Sequence, residues 1–280
     1  MNSKYLHAFI ENAIKEDIGD GDHTSLACIP KSTIGKAKLL IKQEGIIAGV
    51  NIAQIVFNKI DKDLLLNVFI NDGVRVNFGN IIFEVEGPIQ SILLAERLVL
   101  NIMQRMSGIA TQTNQYVKKL EGLNTKILDT RKTTPGMRLF EKEAVRIGGG
   151  YNHRMGLYDM IMIKDNHIDY AGGIENVIKS VKEYLEKNKK NLKIEIEART
   201  IEDVEKIIET GGIDRIMFDN FNYEDTKKAV QIVNGKYETE SSGGINLDTI
   251  RGYAECGVDF ISVGALTHQI KSLDISLKAI

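Results

Sequence analysis

Cysteine is scarce in this chain: its 280 residues contain two, Cys28 and Cys256. Two cysteines cannot make a disulfide framework, and this pair shares no metal-ligand spacing. Reduced thiols in a cytosolic protein are the plain reading. Excess charge is lacking as well. A net charge of −2 argues against a general nucleic-acid binder, so any basic site must be local. No apolar run approaches the roughly 20 residues needed to span a bilayer. The opening MNSKYLHAFIENAIKEDIGDGD is interrupted by charge too often for a signal peptide. The expectation is a soluble, cytoplasmic protein with neither membrane nor nucleic acid as partner. What is present is an ordinary globular composition, 43% hydrophobic and 26% charged. The length suffices for one large α/β domain or two.

Tyr5 to Ile18 places Leu6, Phe9, Ile10, Ala13 and Ile14 at helical spacing, which predicts an amphipathic helix. The acidic turn Asp20-Gly21-Asp22 follows. It lacks the distant Glu and the ligand count of a calcium hand, so Asp side chains capping backbone N–H groups are expected instead. From Ile34 to Phe83 the pattern is strand-like, with a helix at Ile52–Ile60 and a turn at Asn71-Asp72-Gly73. A long helix from Ser91 to about Leu120 comes next, expected to break or bend near Ser107-Gly108. Strands followed by a helix suggest a separate α+β domain. Within the helix Arg97, beside Glu96, reads on sequence alone either as a functional cation or as a salt-bridge partner.

From Thr125 onward the organisation changes. Six strand candidates, KILDT, DMIMIK, KIEIE, RIMFDN, YETESS and DFISVG, alternate with helical segments. With strand ends at Thr130, Lys164, Glu197, Asp219, Ser242 and Gly264, the steps are 34, 33, 22, 23 and 22 residues. That cadence is βα repetition, which gives parallel strands and right-handed crossovers. In a β/α barrel the site lies at the C-terminal ends of several strands, whereas an open doubly wound sheet gathers its site at one switch point. Every strand end here carries a polar residue or glycine. The expected fold is therefore α/β, an N-terminal α+β sandwich-like domain followed by an incomplete, about six-stranded parallel β/α barrel. The domains are expected at 1–108 and 109–266, with a C-terminal helix at 267–280 joining the first.

The chemistry concentrates between Ile127 and His167. Arg131, Lys132 and Lys164 sit at or just past strand ends, with His153 and Arg154 on the Gly148-Gly149-Gly150 connection between them. So many cations in one partly dry pocket repel each other unless a polyanion binds. Arginine forks match carboxylates bidentately. Glu197 and Asp219 can hold Mg2+, directly or through water, or sugar hydroxyls. The loops Ser242-Gly243-Gly244 and Val263-Gly264-Ala265, expected to lead into helix N-termini, read as phosphate cradles. The residues alone point to a phosphorylated sugar, Mg2+ and a carboxylate-bearing acceptor.

The motifs AERLVLNIMQRMSGIAT, DTRKTTPGMR, GGGYNHRMGL, IKDNH, EIE, MFDNF, ESSGGI and SVGALTH, in that order, resemble the quinolinate phosphoribosyltransferase family. The resemblance covers about Glu16 to Leu277. It implies decarboxylating transfer of a phosphoribosyl group from phosphoribosyl pyrophosphate (PRPP) to quinolinate in NAD biosynthesis, with Mg2+ and no organic cofactor. It also implies a homodimer with shared active sites, conceivable too as a hexamer of dimers. By the same resemblance Arg97 is lent across the interface to quinolinate, and Arg131, His153, Arg154 and Lys164 bind it. Lys132, Glu197, Asp219, Ser242, Gly243, Gly244, Gly264 and His268 face PRPP, with Thr130, Val263 and Ala265 beside them. Lys132, Lys164, Glu197 and Asp219 are the implied catalytic set. Glu195, two residues before Glu197 on the same strand face, leaves open which of the two faces the site.

Two other readings compete. Lys164 at a barrel strand end suits a Schiff-base lyase, although Asp165 beside it and the surrounding cations point to an anionic ligand. A relative of the same family tied to metal-ion transport would take another acceptor, against which the NHR and KDNH motifs stand.

Overall fold

The structure is a computed structural model and describes residues 3–280. In chain order the first elements are α1 (Ser3–Ile18), α2 (His23–Cys28), β1 (Ile34–Ile41), β2 (Gly45–Ile46) and α3 (Val50–Ile60). Then come β3 (Leu65–Val68), β4 (Arg75–Val76), β5 (Ile81–Pro88) and α4 (Ile89–Lys119). The repeating part holds β6 (Lys126–Leu128), α5 (Arg138–Ile147), β7 (Ile161–Ile163), α6 (Asp165–Ala171), α7 (Ile174–Lys187), β8 (Ile194–Ala198) and α8 (Ile201–Thr210). It ends with β9 (Arg215–Asp219), α9 (Tyr223–Val233), β10 (Glu238–Ser242), α10 (Ile250–Glu255), β11 (Phe260–Ser262), α11 (Ala265–His268) and β12 (Ile275–Ala279).

The chain forms two compact units, one of Met1–Asn114, Thr133–Gly149 and Leu266–Ile280, the other of Gln115–Lys132 and Gly150–Ala265. This differs from a single boundary near residue 108. Thr133–Gly149, which carries α5, groups with the first unit, and the division itself falls inside α4.

The first unit is built on an antiparallel sheet in the order β12-β1-β5-β3. Ala37, Leu39 and Ile41 are buried alternately along β1, the period-two pattern of a sheet with one face in the core. Phe83 of β5 meets Phe57 of α3 edge-on, with ring centroids 5.8 Å apart. The acidic turn caps a helix as expected: Asp22 accepts the Ser25 N–H at the start of α2.

Two expectations are corrected in this unit. The segment 267–280 is not a helix, because Leu273, Ile275 and Leu277 alternate with polar residues. That spacing suits a strand, and β12 pairs antiparallel with β1, Leu277 opposite Leu39. Nor does α4 break at Ser107-Gly108; it is one helix of 31 residues. Ser107 Oγ accepts the Ala48 N–H at 2.9 Å and donates to its carbonyl at 3.1 Å. A Cβ on Gly108 would lie 2.3 Å from the Lys271 carbonyl oxygen, so the glycine serves close approach of another chain segment.

The second unit is a six-stranded parallel sheet in the order β6-β11-β10-β9-β8-β7. Strands β6 and β7 follow one another in sequence yet lie at opposite edges, so the sheet curls as a barrel that stops short of closure. A parallel bridge between Leu128 and Tyr151 extends the β6 edge into the gap. Every residue of β8 is buried, as expected of a parallel strand covered on both faces. Among the described residues no helix is long and apolar enough to cross a membrane.

Gly108→Ala should destabilise the first unit by about 1–3 kcal/mol through overpacking. Thermal unfolding checks this, and an unchanged Tm would contradict the close approach.

Candidate active site

Alternation along the barrel strands arranges their inward side chains in layers. Register places Met162, Glu195 and Arg215 side by side, and Glu240 beside Met217. Two residues beyond Met162, Glu195, Met217 and Glu240, at the C-terminal edge, come Lys164, Glu197, Asp219 and Ser242. Both glutamates of β8 therefore face the interior. Glu197 is at the mouth, and Glu195 lies one layer below with no exposed surface.

At the mouth, Lys164 Nζ donates to Glu197 Oε1 at 2.5 Å, and the Asp165 N–H donates to Oε2 at 3.2 Å. His167 fixes the turn: its Nδ1 accepts the Lys164 N–H at 2.9 Å, while its own N–H donates to the Lys164 carbonyl. An ammonium held by a carboxylate is a poor carbonyl nucleophile, which weighs against the Schiff-base reading. Burial, and then the neighbouring Glu197, push the Asp219 carboxyl up from its ordinary value. Two carboxylates are thus close enough to repel. That suits Mg2+, which keeps several waters and takes one or two protein carboxylates beside substrate phosphates.

The cations come from the β6 side. Arg131 and Lys132 are exposed just past β6. Arg154, half-buried, donates through Nη1 to the Met160 carbonyl at 3.2 Å. Burial, and then the nearby Arg131 guanidinium, lower its pKa. Two guanidiniums this close suit a carboxylate-bearing ligand. Asp129, fully buried at the end of β6, holds the Gly-rich connection in place. Its Oδ1 accepts the His153 N–H at 2.9 Å, and its Oδ2 accepts from Asn152 Nδ2 at 2.5 Å. Thr130 accepts the Lys132 N–H at 3.1 Å, tightening the turn.

The glycine loops sit at the remaining strand ends. Gly243, at φ +101°, would place a Cβ 2.2 Å from Asn220 Oδ1 and 2.9 Å from Asn220 N, so only glycine fits. Asn220 is itself left-handed, at φ +59°, and donates its N–H to the Ser242 carbonyl at 2.9 Å. The loop does not lead straight into a helix as expected. Asn246 Oδ1 instead accepts the Asp248 and Thr249 N–H groups in an Asx turn before α10. The Val263 N–H donates to the Leu128 carbonyl, and Gly264 precedes the four-residue α11. Arg97, exposed on α4, and His268, the last residue of α11, belong to the first unit.

Of the expected residues, Thr130, Arg131, Lys132, His153, Arg154, Lys164, Glu197, Asp219, Ser242–Gly244 and Val263–Ala265 all belong to the barrel unit. They lie at its C-terminal strand ends or on the connections there. His153 is the exception in depth, its side chain only 6% exposed. Asp129, Arg215 and Glu240 were missed as contributors. Their signal was the period-two spacing Glu238, Glu240, Ser242 and Arg215, Met217, Asp219, which extends the polar face inward from each strand end.

Cations facing paired carboxylates at the C-terminal mouth of a parallel barrel define a receptor for an anionic, phosphate-bearing ligand. The particular family follows from comparison. The family model "Quinolinate phosphoribosyl transferase, C-terminal domain" matches residues 109–278, and its N-terminal counterpart matches 22–107. The chain belongs to the quinolinate phosphoribosyltransferase family. It is 46% identical over 288 residues to the chloroplastic nicotinate-nucleotide pyrophosphorylase (carboxylating) of Arabidopsis thaliana, covering 98% of this chain and 82% of that one. The probable enzyme of the same name from Bacillus subtilis is 42% identical over 277 residues, with 99% and 94% covered. The solved nicotinate-nucleotide pyrophosphorylase of Francisella tularensis superposes with a TM-score of 0.93 at 39% identity, covering 100% of this chain and 98% of that one.

Burial pushes the Glu195 and Glu240 carboxyls each up to about 7. Such groups hold protons in the folded state that the unfolded chain releases above about 4.5. Their contribution to stability is therefore present below that pH and lost as pH rises through about 7. Wild-type protein should lose stability between pH 5 and 8, and Glu240→Gln should flatten that slope. Denaturant titrations across this range check it, and equal slopes would contradict the assignment.

Proposed function

We propose that this protein catalyses quinolinate + PRPP → nicotinate mononucleotide + CO2 + pyrophosphate, the decarboxylating phosphoribosyl transfer of NAD biosynthesis. The observation that carries the reading is the pairing of a two-arginine, one-lysine cluster with the Glu197–Asp219 carboxylates at one barrel mouth, in a chain whose two domains both match the family. Arg131 and Arg154 grip the acceptor's carboxylates, and Lys164 adds a third cation. Lys132 faces the diphosphate, and Ser242–Gly244 with Val263–Ala265 line the phosphate end. Glu197 and Asp219 would hold Mg2+, which supplies charge neutralisation for the departing diphosphate. The same carboxylates face the ribose and stabilise positive charge developing at C1.

Clamping both reactants can supply roughly 7–11 kcal/mol of barrier reduction. The acceptor's ring nitrogen forms the bond to C1 while the bond to diphosphate breaks, the electron pair leaving with diphosphate. The ring nitrogen is then quaternary and draws electrons. The bond to the adjacent carboxylate breaks, CO2 departs, and its electron pair remains on the ring carbon until a proton adds. Lys164 is placed as an electrostatic ligand of the acceptor and as a candidate donor of that proton. The working assembly is proposed as a cytoplasmic homodimer in which Arg97 reaches the acceptor of the partner subunit.

Carboxyl-labelled quinolinate should release 14CO2 only when PRPP and Mg2+ are both present, and nicotinate should give no nucleotide. Arg154→Ala should raise KM for quinolinate ~10- to 100-fold, the worth of a charge-assisted hydrogen bond, with PRPP binding retained. No release by folded wild-type protein would move the acceptor to another ring acid. Arg97→Ala and Arg131→Ala should each be nearly inactive. Mixed dimers of the two should recover activity, and no recovery after demonstrated subunit exchange would remove the shared-site proposal.

A further inference from the structure

One layer below the mouth, Arg215, Glu240, Glu195 and His153 form a row shut off from solvent. Arg215, its side chain 12% exposed, donates through Nη1 to Glu240 Oε2 at 2.9 Å and lies 3.7 Å from Glu195 Oε2. Its Nη2 donates to Glu238 at 3.0 Å, and its guanidinium covers the Phe260 ring at 3.9 Å. Both Glu195 and Glu240 have no exposed surface. His153 Nε2 faces Glu195 Oε2 at 3.1 Å and Glu240 Oε2 at 3.7 Å. On the other side of the ring, Nδ1 accepts the Arg154 backbone N–H at 2.7 Å.

The two sides of the imidazole are coupled. Carboxylate oxygens against Nε2 favour the tautomer with its proton there, and that leaves Nδ1 as the acceptor the Arg154 N–H requires. The opposite tautomer would set one N–H against another at Arg154. Asp129 fixes the same loop through the His153 N–H. His153, Glu195 and Glu240 could together ligate a cation. Arg215 already supplies positive charge to both carboxylates.

We propose that Glu240 and Arg215 are positioning residues for the acceptor. Arg215 orients the Glu240 carboxylate, Glu240 with Glu195 fixes the His153 tautomer, and His153 fixes the backbone of Arg154 and so the guanidinium that grips a carboxylate of the substrate. This rests on the reading of Arg154 as an acceptor ligand. It makes recognition of the dicarboxylic acid depend on groups that never touch it. The ends of the same strands, at Glu197, Asp219 and Ser242, face the phosphoribosyl side, whereas the row reaches the acceptor through His153 and Arg154.

The test compares wild type, Glu240→Gln, Glu240→Asp and Arg215→Lys. Glu240→Gln keeps the shape but removes one of the two carboxylates that face Nε2 and the one Arg215 orients, leaving Glu195 alone to hold the tautomer. KM for quinolinate should rise roughly tenfold, with KM for PRPP unchanged within about twofold. Histidine 15N spectra should show the Nε2-protonated pattern of His153 in wild type and its loss in Glu240→Gln. Glu240→Asp and Arg215→Lys, which keep the charges, should restore the pattern and part of the affinity; if Glu240→Gln does not fold, these two carry the comparison. A folded Glu240→Gln protein with wild-type KM for quinolinate and an unchanged His153 signal overturns the proposal. Equal losses for both substrates also overturn it, because a merely structural role would give them. If wild-type protein does not use quinolinate at all, the functional reading fails, and the 15N spectra still decide whether the row sets the tautomer.

Discussion

The barrel is organised by the cost of burying charge. Glu195, Glu240 and Arg215 occupy positions that in most parallel barrels hold branched apolar side chains. At a separation of about 4 Å, two like charges cost about 4 kcal/mol even at an effective dielectric of 20. The interior therefore depends on Arg215 lying between carboxylates from two neighbouring strands, with Glu238 and the Phe260 ring completing its surroundings. Replacing such a cluster with apolar residues often gives a more stable protein. Its presence beneath a binding site suggests that geometry, more than stability, is what it provides.

Charge also sets the division of labour at the mouth. The nearby Arg131 disfavours the charge of Arg154, and Glu197 that of Asp219. Each like-charged pair holds unfavourable energy that a ligand of opposite sign relieves. On the proposed reading, the carboxylates of the acceptor would relieve the first pair, and a cation accompanying the diphosphate donor would relieve the second. Lys164, proposed as an acceptor ligand, links the two halves through its contact with Glu197.

Much of this was legible in the sequence. The βα cadence from Thr130 to Gly264 led to the parallel sheet. The strand-end residues were found because polar groups ending an apolar run have few structural reasons to be there. What escaped notice lay inside the runs. Glu195, Arg215 and Glu240 look like ordinary alternation on a half-exposed strand, and only the closing curl of the sheet turns that polar face inward. Asp129 was read as one letter of a motif, since its work, holding the 152–153 backbone, depends on contacts 23 and 24 residues away. The C-terminal strand was misread because helices usually follow the strands of a barrel, and that habit outweighed the alternation of Leu273, Ile275 and Leu277. Gly108 was taken to break or bend the long helix, which runs unbroken there, and the glycine marks close packing.

That last strand has a consequence for how the protein is made. β12 lies at the edge of the first sheet, hydrogen-bonded to β1, yet some 230 residues separate the two in the chain. During translation β1 leaves the ribosome early and keeps one side of its backbone unpaired until almost everything else has been synthesised. An open edge of alternating Ala37, Leu39 and Ile41 is a template for mispairing. In the barrel, β7 to β10 gain a neighbour within a few dozen residues, whereas β6 waits some 130 residues for β11. Vectorial synthesis thus favours an order in which β7 to β10 pair first and the N-terminal sheet, begun earliest, is finished last.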